Sequence, residues 1–353
     1  HAGANARGAD IVAASPIPLM PGRTVPRALA SAEIRGIIGR YGDAAERART
    51  AGFDGVEIVA SGNYLVWNFL SSASNARTDD YGGSLENRAR LLLEIISEVR
   101  RRTGDDFPVT CRLACKDYGP GGGFGVQDAQ AVARLGVDAG LSGVTITAIG
   151  GDSVAPPHSG ALVPLARAIK QAVSVPVTVA GRMDLDTAAS AVASGMADLA
   201  GFGRRLLADP DYVGKVASGA GDTVRPCIAC KSCIDVALLQ NLPLRCGVNP
   251  ECGHEEMPVT PAVARKTVVV VGGGPAGMEA ASVAAERGHD VTLFERSNAL
   301  GGQLIEAAMP PGKHPLEPLT RYLTRRVEQS GAAVLTATSV TAASIERLGP
   351  DVV

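Results

Sequence analysis

The sequence predicts an α/β protein in two parts, and three observations carry that prediction. Short β-branched runs alternate with helical stretches through the first two-thirds of the chain. Near residue 270 another such run passes straight into a glycine-rich turn and a helix. Between these regions stands a tight group of cysteines.

Taken in order, Gly55–Val59, Pro108–Ala114, Gly143–Thr147, Val175–Ala180 and Ala197–Phe202 have the composition of buried parallel strands. Ala44–Thr50, Leu85–Arg101, Val126–Ala139 and Leu162–Ala172 place apolar residues at helical spacing with charge on the opposite face, so these helices cover the sheet. A closed (β/α)8 barrel needs eight strands and roughly 250 residues. Three strands would then have to precede His1; an open doubly wound sheet, complete as it stands, is the alternative that periodicity leaves. Pro258–Lys266, rich in Pro, Ala and basic residues, reads as a linker to a second domain that starts at Thr267.

A chain of 353 residues with 46% hydrophobic content can fill two cores. Its 34 basic and 36 acidic residues leave a formal charge of -2 with no block of one sign, which argues against nucleic-acid and lipid partners. No apolar run reaches the roughly 20 residues that span a bilayer, and no basic-then-apolar leader opens the chain, so a cytoplasmic location is expected. The chain lacks an initiator Met and stops at Val353 just after an apolar stretch begins, so it reads as cut at both ends.

Seven cysteines in a chain this long do not make a secreted disulfide scaffold, and four of them lie between Cys227 and Cys246. Cys227, Cys230 and Cys233 sit at Cys-x-x-Cys-x-x-Cys spacing, with twelve residues between the last and Cys246. A tight loop can offer three thiolates to one cluster while a returning segment supplies the fourth, which suits a [4Fe–4S] cubane. Structural zinc more often takes two separated Cys-x-x-Cys pairs or a Cys/His mixture. Cys111, Cys115 and Cys252 have no ligand spacing and read as packing or loop residues.

Thr267–Val271 leads directly into Gly272, Gly273, Gly274, Pro275, Ala276 and Gly277, after which Met278–Arg287 reads as a helix. The glycines allow a tight turn and close approach of backbone to a pyrophosphate, and the helix N-terminus favours its charge. A second strand, Asp290–Phe294, ends at Glu295, where a carboxylate can hold an adenosine ribose. Gly301 and Gly302 follow at a spacing more typical of FAD than of NAD, although ADP or NAD would suit the same half-site.

Several segments together resemble one family: Gly52–Ile58, Phe69–Ser71, Ser74–Asp79, Tyr81–Arg88, Gly203-Arg204 and the cysteine run. The chain is similar over essentially its whole length to the 2,4-dienoyl-CoA reductase, 2-enoate reductase and trimethylamine dehydrogenase family, the multidomain NADH:flavin oxidoreductase branch of Old Yellow Enzyme relatives. That resemblance implies the fold class: the C-terminal five βα units of an FMN-binding TIM barrel, then a [4Fe–4S] segment, then the start of a Rossmann-like FAD/NAD(P)-binding domain. The expected boundaries are 1–222 for the barrel, 223–256 for the cluster segment, 257–266 for the linker and 267–353 for the Rossmann-like domain. His1-Ala-Gly3 resembles the end of the family's third strand.

Residue by residue, the resemblance implies that Arg112 faces the FMN pyrimidine edge; its bland alternative is a strand-end salt bridge. It implies that Gly181-Arg182 and Gly203-Arg204 hold the FMN phosphate, where ordinary turn glycines are the alternative. Gly272, Gly274, Gly277, Glu295 and Gly302 would bind the second flavin, and Cys227, Cys230, Cys233 and Cys246 the cluster. Tyr64 matches the tyrosine that protonates substrate carbon opposite the flavin, a suitable acid because a phenol keeps its proton at neutral pH; a core aromatic is the alternative. Where many relatives carry a His and, three residues on, a His or Asn, this chain has Val59 and Gly62. Dienoyl-CoA reductases use a histidine after the sixth strand instead. Asp152 is the nearest match here, and Asp152 or His158 would serve as catalytic groups unless they are loop residues.

The expected activity is NAD(P)H-dependent reduction of activated C=C bonds in small enoates or acyl-CoA esters, with electrons passing from FAD through the cluster to FMN. The first alternative is an amine dehydrogenase that exports electrons to an electron-transfer flavoprotein; that branch has Tyr and His where Val59 and Gly62 stand. The second is a non-catalytic electron-transfer module.

Overall fold

The computed structural model describes residues 10–18, 24–117, 123–149, 159–313 and 315–353. The chain divides into two compact units, His1–Phe202 and Gly203–Val353.

In the first unit a short parallel pair, β1 (Val12–Ala13) and β2 (Arg27–Ala28), precedes α1 (Ser31–Thr50), β3 (Val56–Ala60), α2 (Leu65–Leu70), α3 (Leu85–Thr103), β4 (Val109–Asp117), α4 (Val126–Asp138), β5 (Gly143–Ile149), α5 (Val163–Lys170), β6 (Val177–Ala180), α6 (Leu185–Ala193) and β7 (Leu199–Gly201). Among the described residues β3 to β7 form one parallel sheet in strict sequence order. Each strand pairs with the next, as in β3–β4 register Val59↔Arg112 and β5–β6 register Thr145↔Thr178. A doubly wound sheet reverses its strand order and is covered on both faces; among the described residues this one does neither. Ile58, Val109, Cys111, Leu113, Val144, Ile146, Val177 and Val179 point into a buried layer with α1, α3, α4 and α5, while Glu57, Thr110 and Arg112 alternate onto the other face. One-sided cover and sequential order are the geometry of a barrel wall.

The helices follow from local signals. α3 starts at Ser84, whose hydroxyl accepts from Asn87 N at 3.3 Å, and stops at Gly104 with φ 75. Its buried stripe of Leu91, Leu92, Ile95, Ile96 and Val99 repeats every three to four residues. α1 begins at Ser31, thirteen residues before the Ala44–Thr50 stretch that periodicity predicts, because Gly36, Gly39 and several charges blur its first half. The weakly patterned α2 and α6 escape sequence reading altogether.

The motif residues of the 74–84 loop are structural. Asn75, 5% exposed, donates through Nδ2 to Phe69 O and Tyr81 O, both at 2.7 Å. Arg77 donates to Ala14 O at 3.0 Å and Leu29 O at 2.7 Å, tying β1 and β2 to this loop. Asp79 pairs with Arg77, which holds its carboxyl below the ordinary range.

In the second unit come α7 (Arg204–Ala208), α8 (Tyr212–Ala217), α9 (Ser232–Ile234), β8 (Thr267–Val271), α10 (Pro275–Glu286), β9 (Asp290–Phe294), α11 (Gln303–Ala308), α12 (Leu316–Gln329), β10 (Ala333–Leu335) and α13 (Ala342–Leu348). The sheet order is β10-β9-β8, and a parallel bridge from Val352 to Val268 lies on the far side of β8. That is the Rossmann arrangement, with the first strand central. α12 buries Leu319, Leu323 and Val327 against Met278, Ala281 and Leu293. Among the described residues no helix is long and apolar enough to cross a membrane.

Asn75→Ala leaves two buried carbonyls without their donor, so it should cost about 2–4 kcal/mol. The change is read as a lower urea midpoint in the fluorescence of Trp67, the chain's single tryptophan, which is buried with its ring 4.9 Å from that of Phe124.

Candidate functional site

Because β3 to β7 are parallel, the segments after β3, β4, β5 and β6 leave the sheet at the same edge. Barrel enzymes build their sites at that C-terminal edge. After β3 the chain turns through Gly62 and Asn63, both left-handed at φ 65 and 60, and places Tyr64 at the N-cap of α2. The Tyr64 ring lies against Gly62, where an added Cβ would come within 2.8 Å of it. Gly62 takes a backbone conformation that favours glycine, and a side chain added there would require the Tyr64 ring to shift.

Arg112 lies on the uncovered face with its side chain 48% exposed. Its Nε donates to Glu57 Oε1 at 2.8 Å, and Thr145 Oγ1 donates to Glu57 Oε2 at 2.7 Å. The salt bridge weighed as an alternative for Arg112 is thus present, and its partner comes from β3. Sequence reading passes over Glu57 and Thr145; the one signal for them is their alternation with the buried residues of β3 and β5.

Gly181, φ 153, and the exposed Arg182 follow β6 directly, and Arg182 O accepts from Gly160 N at 2.9 Å. Asp184 then caps α6 by accepting from Thr187 N at 2.8 Å. In the second unit Gly203 is the N-cap of α7 and Arg204 its first residue. Asp152 and His158 lie outside the described residues, as does His1-Ala-Gly3.

Cys227, Cys230, Cys233 and Cys246 are all free thiols. The loop bearing the first three is coiled by left-handed Ala229 and Lys231, at φ 54 and 64. Cys233 lies within α9 and is buried, whereas Cys230 is exposed and its sulfur stands 3.1 Å from where a Cβ on Gly247 would lie. Burial raises the Cys233 thiol, the Arg204 guanidinium opposes this, and Cys227 and Cys246 add to the rise. Among the described residues no three His, Cys, Asp or Glu side chains converge closely enough to hold a metal ion as they stand. The donor set nevertheless fits an iron–sulfur cluster, because four unpaired thiols share one segment and the returning loop meets Cys230 at Gly247. Cys111 and Cys115 are buried in β4, and burial pushes the Cys111 thiol up to about 12, which suits inert packing.

At the glycine turn, Gly272 takes φ 104 and Gly274 caps α10. A Cβ on Gly277 would lie 1.9 Å from Gly272 O. Gly302, φ 51, packs against Gly274, where a Cβ would come within 3.1 Å of its Cα, and Gly301 N donates to Gly273 O at 2.8 Å. The Gly301-Gly302 pair is thereby laid on the turn. Glu295, 7% exposed, accepts from Gly273 N and Ser297 N, each at 2.7 Å. These bonds, that from Ser297 first, hold its carboxyl below the ordinary range. A buried carboxylate beside bare backbone N–H groups at a helix N-terminus fits an adenosine ribose and pyrophosphate.

Residues 7–223 match the NADH:flavin oxidoreductase / NADH oxidase family. The chain belongs to that family. Residues 267–345 match the FAD dependent oxidoreductase family. Among curated relatives, a metal reductase of Desulforamulus reducens is 39% identical over 96% of this chain and 52% of its own length. A cinnamate reductase of Clostridium sporogenes is 36% identical over 98% of this chain and 55% of its own. The chain thus spans about half the length of the curated relatives it matches. Among solved structures, a 2-naphthoyl-CoA reductase complex with 2-naphthoyl-CoA is 33% identical with a TM-score of 0.90, covering 97% of this chain and 54% of that one. Histamine dehydrogenase from Rhizobium sp. 4-9 is 28% identical with a TM-score of 0.88, covering 97% and 52%. This chain is therefore part of the flavin-dependent oxidoreductase family whose members include both alkene reductases and amine dehydrogenases, and its fold is a barrel-like domain followed by an FAD-type region.

Two outcomes follow for the glycine turn. Gly277→Ala should abolish flavin retention by the second unit, measured as FAD released per chain on gel filtration. Glu295→Gln should lower stability at neutral pH. The carboxylate's contribution is full above about pH 4.5, its ordinary value, and is lost as pH falls through its depressed folded value. The difference between the two urea midpoints should therefore shrink on acidification.

Proposed function

We propose that the full protein is an NAD(P)H-dependent reductase of activated C=C bonds in enoates or acyl-CoA enoates. When bound, FAD, a [4Fe–4S] cluster and FMN supply hydride and one-electron chemistry, carrying electrons from the nicotinamide to the substrate. In this reading the barrel domain runs over 1–222, the cluster segment over 223–256, a linker over 257–266 and the Rossmann-like domain over 267–353.

The chain's own residues take distinct parts. Cys227, Cys230, Cys233 and Cys246 ligate the cluster. Gly272, Gly274, Gly277, Glu295 and Gly302 form the cradle for FAD, and Arg182 and Arg204, each preceded by a glycine, bind the FMN phosphate. Arg112 offers positive charge at the flavin pyrimidine, and Tyr64 delivers the proton to substrate carbon. Asp152 or His158 orients the substrate carbonyl. The observation that carries the reading is the order of parts in one chain, a barrel wall bearing Arg112, then four free cysteines, then a glycine turn with Glu295 buried beside it.

Val59 and Gly62 stand where the amine dehydrogenase branch has Tyr and His, so the side chains that would receive an amine are missing, which favours C=C reduction over amine oxidation. The amine dehydrogenase reading, with an electron-transfer flavoprotein as acceptor, draws on the likeness to histamine dehydrogenase.

The test uses the full-length protein under anaerobic conditions. NADH or NADPH should bleach the flavins, and an enoyl or dienoyl thioester should then reoxidise them. Reduction by an amine, with no response to either nicotinamide, would establish the dehydrogenase instead. Tyr64→Phe should leave bleaching by the nicotinamide intact and slow reoxidation by the thioester roughly 10²–10⁴-fold.

A further inference from the structure

The uncovered face of the barrel wall carries a carboxylate, Glu57, that the functional reading does not use, paired with Arg112, which it does. Glu57 sits on β3, two residues removed along the sheet from Arg112 on β4, since Glu57 is in register with Thr110 and Val59 with Arg112. It reaches diagonally to Arg112 Nε at 2.8 Å. Its other oxygen accepts from Thr145 Oγ1 at 2.7 Å on β5, two strands away. Thr145 is in register with Arg112 and is 9% exposed, so the anchor itself is buried.

Both carboxylate oxygens are therefore committed, and the Glu57 side chain has one place to be. The bond to Arg112 uses Nε alone. Among the described residues, the terminal Nη1 and Nη2 groups of Arg112 donate no hydrogen bond to the protein. An arginine held by its inner edge, with its outer fork unspent and half exposed, is set up to donate to something the protein does not itself supply.

We propose that Glu57 is a positioning residue for the flavin: it fixes the Arg112 guanidinium and, by its negative charge, offsets part of the field that Arg112 exerts on reduced FMN. The inference rests on the reading that Arg112 faces FMN. Two effects are separable by substitution. Glu57→Gln is isosteric and keeps both hydrogen bonds, the amide oxygen accepting from Arg112 Nε and the amide nitrogen donating to Thr145 Oγ1, while it deletes the charge. Glu57→Ala deletes charge and anchor together.

With the negative charge gone, the anionic reduced flavin is favoured relative to the oxidised form. In the full-length holoenzyme, the ratio of reduced to oxidised FMN affinity should rise about tenfold in Glu57→Gln, which for a two-electron couple is a midpoint shift of about 30 mV in the positive direction. The midpoint is read by anaerobic titration against reference dyes, and FMN affinity by titrating the deflavinated protein. Glu57→Gln should keep the affinity for oxidised FMN within about twofold of wild type, whereas Glu57→Ala should weaken it at least tenfold. A variant that merely perturbed the fold would lose FMN without this split between affinity and potential.

An FMN midpoint unchanged or lowered in Glu57→Gln overturns the inference. Arg112→Met serves as the control on the reading beneath it: a lowered FMN midpoint there supports Arg112 at the flavin. If Arg112→Met leaves both midpoint and affinity unchanged, the placement of Arg112 is wrong and the inference falls with it.

Discussion

One constraint organises the first unit: a parallel sheet wound in a single direction puts every crossover helix on the same side. Ile58, Cys111, Leu113, Ile146 and Val179 can then be apolar without interruption, since α1, α3, α4 and α5 cover them all. The residues that alternate with them are released from core duty. That freedom is what allows a glutamate, an arginine and a threonine to meet on one sheet face. The same parallel run brings the loops after each strand to one edge, so Tyr64 and Gly181 are delivered to a common rim by topology alone.

The second unit solves a different problem by close backbone approach. Phosphate recognition by N–H groups requires side chains to be absent where strand, turn and helix meet. Gly277 cannot carry a Cβ because Gly272 O occupies that space, and Gly302, left-handed at φ 51, lies close against Gly274. Glu295 then stabilises the turn from below through Gly273 N, so the residue expected to hold a ribose also holds the loop. The cysteine loop uses strain differently, with Ala229 and Lys231 in left-handed backbone where glycine would be cheaper.

Much of this was legible in the sequence because the strands are short, β-branched and buried. Thr267–Val271 and Asp290–Phe294 fall where composition places them, and the five barrel strands lie within a few residues of their expected bounds. Helices with poor contrast were not legible. α1 hides its first half behind Gly36 and Gly39, and α6, rich in alanine, has no distinct polar face. Choosing barrel over doubly wound sheet needed the strand order, which periodicity does not encode. The partner of Arg112 was illegible for a related reason: Glu57 lies 55 residues earlier and meets it diagonally, a relation fixed only by register.

The proposed electron path needs three redox groups in one protein, so the direct measurement is the iron, FMN and FAD content of the full-length protein purified without air, with its electron paramagnetic resonance spectrum after reduction. Four irons, one FMN and one FAD per chain, with a reduced-cluster signal lost on Cys230→Ser, is the predicted result. Zinc in the cysteines, or a chain that retains no FMN, would contradict it.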